Sequence, residues 1–190
     1  LEGYLYPETY FFEPESSAET ILKTMVNTFK QKTKDLNFKG KYSKHEIVIL
    51  ASVIEKETGA KFERPIISGV FHNRLNKKMR LQSDPTTIYG IIENYTGNLQ
   101  KKHLLEETPY NTYKISGLPI GPICNPGREA IEAALAPQNH DYLYFVSQND
   151  GTHIFSKTYS DHAKAVDEYQ KNYKNRQGKS WRDLNKKATN

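Results

Sequence analysis

The sequence predicts an α+β fold: a mainly helical domain with a small antiparallel sheet. Two observations predict it. Apolar residues recur at helical spacing in segment after segment along most of the chain. Near the end, two short β-forming runs flank a single Asn149-Asp150-Gly151 turn, the pattern of a hairpin. No internal repeat suggests a solenoid.

Residues 1–14 are rich in aromatics (Tyr4, Tyr6, Tyr10, Phe11, Phe12), are broken by Pro7 and Pro14, and read as extended segments. Residues 18–35 carry Ile21, Leu22, Met25, Val26 and Phe29 on a helical period. The next helix, 44–58, opens with Ser43 and Glu46, a capping box in which each side chain answers the other's backbone N–H. It is apolar nearly all round from Ile47 to Ile54, so it is expected to be buried, and it stops near Gly59. A helix over about 63–77 follows, with Ile66, Ile67, Val70, Phe71 and Leu75. Asp84-Pro85 reads as an N-cap and first turn leading into Thr87-Ile88-Tyr89.

From Glu106 to Gly127 prolines and glycines break every regular pattern. Loops this long within a domain are usually functional or disordered, and Tyr110, Tyr113, Ile115, Leu118 and Ile120 make this one too apolar for a disordered linker. Asn125-Pro126-Gly127 then starts a helix from Arg128 to Ala136. Tyr142–Val146 reads as a buried strand, His153-Ile154-Phe155 as its partner, and a last helix begins near Ser160.

The chain has 190 residues and a net charge of +5. From Lys171 onward it carries seven Lys or Arg and one acid, which leaves a body, residues 1–170, of net −1. The expected organisation is therefore one domain over 1–170 and a basic tail over 171–190. Nucleic-acid binding calls for a basic face on the folded part, which is not predicted. The lone Cys124 excludes an internal disulfide, and with no basic neighbour it reads as an inert thiol. The six histidines lack the i, i+4 spacing of a helical metal site, and no Gly-rich phosphate loop or G-x-S-x-G elbow occurs, so neither metal nor cofactor is expected. No apolar run approaches transmembrane length and no signal peptide is evident. The chain begins at Leu1 rather than Met and reads as a piece of a longer protein.

Chemistry is best sought in the last turn of the 44–58 helix, which presents Glu55 and Glu57. Carboxylates there oppose the helix dipole. Dipole and partial burial both favour the neutral acid, the form a general acid needs. Residues two apart on a helix do not face each other, so these two cannot act as a pair. Spacing does not rank them, and a frayed surface helix end is the competing reading. Asn73, Gln82, Ser83 and Asp84 surround the next helices, and Tyr110-Asn111-Thr112-Tyr113 lies in the long loop. Amides with aromatic faces suit a glycan cleft, though Asp84 and Asn125 are equally explained as caps and the tyrosines as core.

Taken together, several segments resemble one family. They are Leu1-Glu2-Gly3-Tyr4-Leu5-Tyr6-Pro7-Glu8-Thr9; Ala51-Ser52-Val53-Ile54-Glu55-Lys56-Glu57-Thr58; Val70-Phe71-His72-Asn73-Arg74-Leu75; and Met79-Arg80-Leu81-Gln82-Ser83-Asp84-Pro85-Thr86. Further along come Tyr110-Asn111-Thr112-Tyr113, Gly117-Leu118-Pro119-Ile120-Gly121-Pro122-Ile123, Asn125-Pro126-Gly127 and Tyr142–Val146. In this order they resemble the motifs of the YceG-like (MltG) family of endolytic murein transglycosylases, with Ile120 departing from a family proline. The resemblance covers about residues 1–170.

The resemblance implies that Glu55 is the catalytic residue. Asn73, Gln82, Ser83, Asp84, Tyr110, Asn111 and Tyr113, chosen for their polar and aromatic chemistry, are expected to bind substrate around it. The resemblance implies cleavage of the N-acetylmuramic acid–N-acetylglucosamine bond within glycan strands, leaving 1,6-anhydro-muramyl ends and terminating nascent strands. It also implies a full-length protein anchored by an N-terminal helix on the outer face of the bacterial cytoplasmic membrane. A LysM-like module would precede this domain, and peptidoglycan synthases (penicillin-binding proteins) would work nearby. Some members have been labelled aminodeoxychorismate lyases, but the sequence offers no pyridoxal phosphate lysine. Two alternatives stay open: a two-carboxylate glycoside hydrolase using Asp84 with Glu55, and a non-catalytic peptidoglycan-binding module.

Overall fold

The computed structural model describes residues 1–172 and 174, so nearly all of the basic tail lies outside the described residues. In chain order the elements are α1 (Ala18–Lys32), α2 (Lys44–Glu57), α3 (Arg64–Asn76), α4 (Asp84–Gly90), α5 (Lys101–Leu105), α6 (Arg128–Leu135), β1 (Tyr144–Ser147), β2 (His153–Ser156) and α7 (Tyr159–Val166). Helices dominate and the two strands pair antiparallel, so the class is mainly helical α+β. The chain divides into two compact units, each discontinuous in sequence: 1–57 with 80–136, and 58–79 with the chain from 137.

The first unit is built on α2. Its capping box forms as expected: the Ser43 N–H donates to Glu46 Oε2 at 2.7 Å, and the Glu46 N–H to Ser43 Oγ at 3.3 Å. Every residue from Ile47 to Ile54 is buried. The helix packs on α6, whose buried Ala130, Ala133 and Ala134 are small enough to admit close approach around Ile131. Each fully buried Val or Ile here contributes about 1.5–3 kcal/mol. The first fourteen residues form no strand, because no neighbouring strand offers them a ladder. Side chains and loops hold them instead. Gly3 takes φ +88°, and a Cβ there would lie 2.5 Å from Pro122 Cγ and 2.8 Å from Val48 Cγ1, so only glycine fits.

Two expected boundaries shift. Ser83, not Asp84, is the residue before α4, and Asp84 opens the helix ahead of Pro85. Gly127, not Asn125, precedes α6. The five-residue α5 lies in the stretch before Glu106 and was not predicted; it is too short to show a period.

In the second unit, α3 buries Ile67, Val70 and Phe71, and Phe71 meets Phe145 of β1 edge-on at 5.9 Å. The hairpin turns at Asn149-Asp150-Gly151, with Asn149 at φ 64° and Gly151 at φ 91°. The predicted buried strand is shorter and shallower than expected. It starts at Tyr144, and only Val146 is buried, because a two-stranded sheet covers one face at most. The carboxylate of Glu63, buried ahead of α3, accepts the His153 N–H at 2.9 Å and lies 2.7 Å from His153 Nδ1, fixing β2. A π-helical turn, Asp167–Lys171, extends α7.

Candidate active site

Glu55 is half-buried in the last turn of α2. Its Oε2 accepts the backbone N–H of Gly127 at 3.2 Å. Gly127 caps the start of α6. The carboxylate that opposes the dipole of its own helix therefore sits at the positive end of another. The sequence showed only the first of these fields, because the second comes from a residue 72 positions away.

A strap running from Ile123 to Gly127 sets this contact. It is fixed one turn earlier on α2, where Ser52 Oγ accepts the Ile123 N–H at 3.0 Å and donates to the Ile49 carbonyl at 2.7 Å. The Cys124 thiol donates to the Ser52 carbonyl at 3.3 Å. Burial pushes that thiol up to about 12, and the Glu55 and Glu2 carboxylates push the same way, so it is inert at neutral pH. Asn125 Oδ1 accepts the N–H groups of Gly3 at 2.7 Å and Leu5 at 3.1 Å, so its side chain clamps the amino-terminal segment rather than capping α6.

Glu57 points to a different partner: its carboxylate accepts the Ser83 hydroxyl in a very short hydrogen bond. This ties the end of α2 to the start of α4. The Ser83 N–H donates to Thr112 Oγ1 at 2.9 Å, and Thr112 Oγ1 lies 2.8 Å from Thr86 Oγ1. The Gln82 N–H reaches the Thr112 carbonyl at 3.2 Å, while Gln82 itself takes φ 52° and is exposed. Exposed Asp84 accepts the Tyr113 hydroxyl at 2.7 Å.

A family profile described as the YceG-like family matches residues 1–168. The chain belongs to the YceG-like family. It is 44% identical over 173 residues to an endolytic murein transglycosylase of Bacillus subtilis, covering 89% of this chain and 48% of that protein. It is 33% identical over 187 residues to an endolytic murein transglycosylase of Streptococcus pneumoniae, covering 89% of this chain and 32% of that one. The crystal structure of a YceG-like protein from Listeria monocytogenes superposes with a TM-score of 0.78 at 44% identity, over 86% of this chain and 54% of that chain. The chain thus spans about half the length, or less, of the relatives it matches.

The family motifs acquire physical roles in the structure. Gln82, Ser83, Asp84, Asn111 and Tyr113 gather in one hydrogen-bonded cluster at the junction of α2 and α4. Tyr110 stands apart, its ring 4.7 Å from that of Tyr89. Asn111 is fully buried. Its amide N–H groups serve the carbonyls of His103, Leu104 and Glu106, and its Oδ1 accepts from Thr87 and Tyr113, which makes it a strut of the loop. Asn73 lies in the second unit, where its amide donates to the carbonyls of His140 at 2.7 Å and Tyr142 at 3.1 Å. Arg74 Nε adds a bond to the Leu143 carbonyl at 2.6 Å, so the Asn-Arg pair clamps the approach to β1. Sequence reasoning placed Ser52 and Gly127 in motifs but gave them no role, and read Asn125 as a cap. Their partners lie far away in the chain, so no local pattern shows what they hold.

Among the described residues no group of three or more His, Cys, Asp or Glu side chains could hold a metal ion.

Proposed function

We propose that this chain is the catalytic domain of an endolytic peptidoglycan transglycosylase, with Glu55 as both acid and base. The observation that carries the reading is the placement of Glu55: half-buried, at the end of a buried helix, with one carboxylate oxygen held by the Gly127 amide. The names of the related proteins of B. subtilis and S. pneumoniae supply the reaction class.

In this reading Glu55, protonated, donates to the glycosidic oxygen as the bond between N-acetylmuramic acid and N-acetylglucosamine breaks. The anomeric carbon passes through an oxocarbenium-like state, which the 2-acetamido oxygen of the substrate stabilises. The ionised Glu55 then takes the proton of the C6 hydroxyl as that oxygen attacks the anomeric carbon. One carboxyl group serves twice and the product is a 1,6-anhydro end. The Gly127 N–H steadies the carboxylate between the two steps. Glu57 is not the second carboxylate, because it holds Ser83. Asp84 holds Tyr113.

We further propose that Gln82 and Asp84, exposed at the α2–α4 junction, and the half-buried Tyr113 contact the glycan together with Tyr110. Ser83 and Asn111 shape the fold that carries them, and Asn73 braces the second unit. The full-length protein is proposed to act on the outer face of the cytoplasmic membrane, beside peptidoglycan synthases, ending nascent strands. The described residues contain no helix long and apolar enough to cross a membrane, so that anchoring rests on the family resemblance alone.

Two substitutions test the one-carboxylate reading. Asp84→Asn keeps a helix-start residue and a partner for Tyr113, so cleavage is expected to stay within about tenfold of the parent. Glu57→Gln keeps an acceptor for Ser83 and is expected to do the same. A two-carboxylate hydrolase would lose about 10²-fold or more with Asp84→Asn. Rates of strand shortening on purified peptidoglycan distinguish the outcomes. A parent that binds glycan and never cuts it is a binding module.

A further inference from the structure

Glu2 and Gly3 of the family's amino-terminal motif are held more firmly than an irregular segment requires. The Gly3 N–H is bound by Asn125 and its Cα is wedged against Pro122 and Val48. This fixes the neighbouring Glu2 beside the same strap whose last residue holds Glu55. Glu2 is exposed, yet its carboxylate is not loose, for it accepts the Tyr89 hydroxyl in a very short hydrogen bond. The Tyr89 ring packs on Tyr110 at 4.7 Å with a 59° tilt. The absent side chain of Gly121 leaves room over the Tyr110 hydroxyl, where a Cβ would lie 3.3 Å away. The bond from Glu2 holds the Tyr89 phenol well above its usual value, so it remains a donor. The Cys124 thiol feels both the Glu55 and the Glu2 carboxylate, so both lie within electrostatic reach of it.

We propose that Glu2, oriented by Tyr89 and flanked by Tyr110, is a substrate-contacting residue of a sugar subsite next to Glu55. This rests on the glycan-cleaving reading above. A carboxylate only accepts hydrogen bonds, so the groups it takes are donors: sugar hydroxyls or the N–H of an acetamido group. The Tyr110 ring adds an aromatic face beside it. Such a contact holds the ring in place in ground and transition state alike, so its loss raises KM more than it lowers kcat.

The test uses soluble, uncrosslinked glycan strands with Glu2→Gln, Glu2→Ala and Tyr89→Phe. Loss of a charge-assisted hydrogen bond is expected to raise KM about tenfold for the two Glu2 variants, with kcat within about threefold. Tyr89→Phe leaves the carboxylate but frees it, and is expected to raise KM about threefold. Thermal midpoints should stay near that of the parent. Equilibrium binding to the same strands, measured in a Glu55→Gln background, should weaken about tenfold when Glu2→Ala is added. Unchanged KM and binding in the Glu2 variants of a parent that cuts would overturn the subsite and leave the proposed function standing. So would a lowered midpoint with KM unmoved, the mark of a purely structural Glu2. A parent that neither cuts nor binds glycan would overturn both.

Discussion

Glu55→Gln is expected to lower glycan cleavage by about a thousandfold or more, within the range that general acid–base groups contribute. The substitution keeps the shape of the side chain, and the Gln amide oxygen can still accept the Gly127 N–H that Glu55 Oε2 accepts now. The buried turns of α2, from Ile47 to Ile54, are untouched. The variant should therefore fold with the thermal midpoint of the parent and bind glycan as well. Only the proton is missing, and the reading needs it in both steps. Cleavage at the parental rate would remove Glu55 from the mechanism. Loss of folding together with activity would make the residue structural.

The largest effect on stability is expected at Asn111. Its side chain is fully buried and satisfied on both ends, donating to the Glu106 carbonyl at 2.7 Å and accepting from Thr87 Oγ1 at 2.9 Å and from the Tyr113 N–H at 3.0 Å. Asn111→Ala strands these partners away from water, at a cost of about 3 kcal/mol. For a chain of this length that corresponds to a fall in thermal midpoint of roughly 10 °C. Calorimetry of the variant checks it. A residue that mainly touches substrate would instead leave the midpoint unchanged and raise KM.

What was legible in the sequence was local. The Ser43–Glu46 capping box, the apolar stretch of α2 and the Asn149-Asp150-Gly151 turn all depend on residues within a few positions of one another, and the structure holds them. The candidate site was legible only to the extent that Glu55 and Glu57 stood out together at a helix end, and the family resemblance chose Glu55. What holds the site depends on pairings that no periodicity encodes. Gly3 and Asn125 are 122 residues apart, Ser52 and Ile123 are 71 apart, and Glu57 reaches Ser83 across 26. Asn73 and Asn111 show the limit from the other side. Amides in a polar, aromatic setting suit a sugar, and equally suit backbone carbonyls of an irregular segment that has no ladder of its own. At both positions the carbonyls are the partners observed. The division into two units was hidden for the same reason, since each unit joins two stretches distant in sequence.

The central claim is that one carboxyl group cuts the strand and the sugar's own C6 hydroxyl closes on the anomeric carbon. An attacking group already tethered to the ring has an effective concentration of about 10⁵ M or more when well oriented, which water cannot match. A second carboxylate would instead activate water or form a covalent adduct, leaving a reducing sugar. The direct measurement is mass spectrometry of fragments released from purified peptidoglycan, before and after borohydride treatment. The account predicts muramyl ends one water lighter than hydrolytic ends and unchanged by borohydride, absent when Glu55→Gln replaces the parent. Predominantly reducible ends would contradict it.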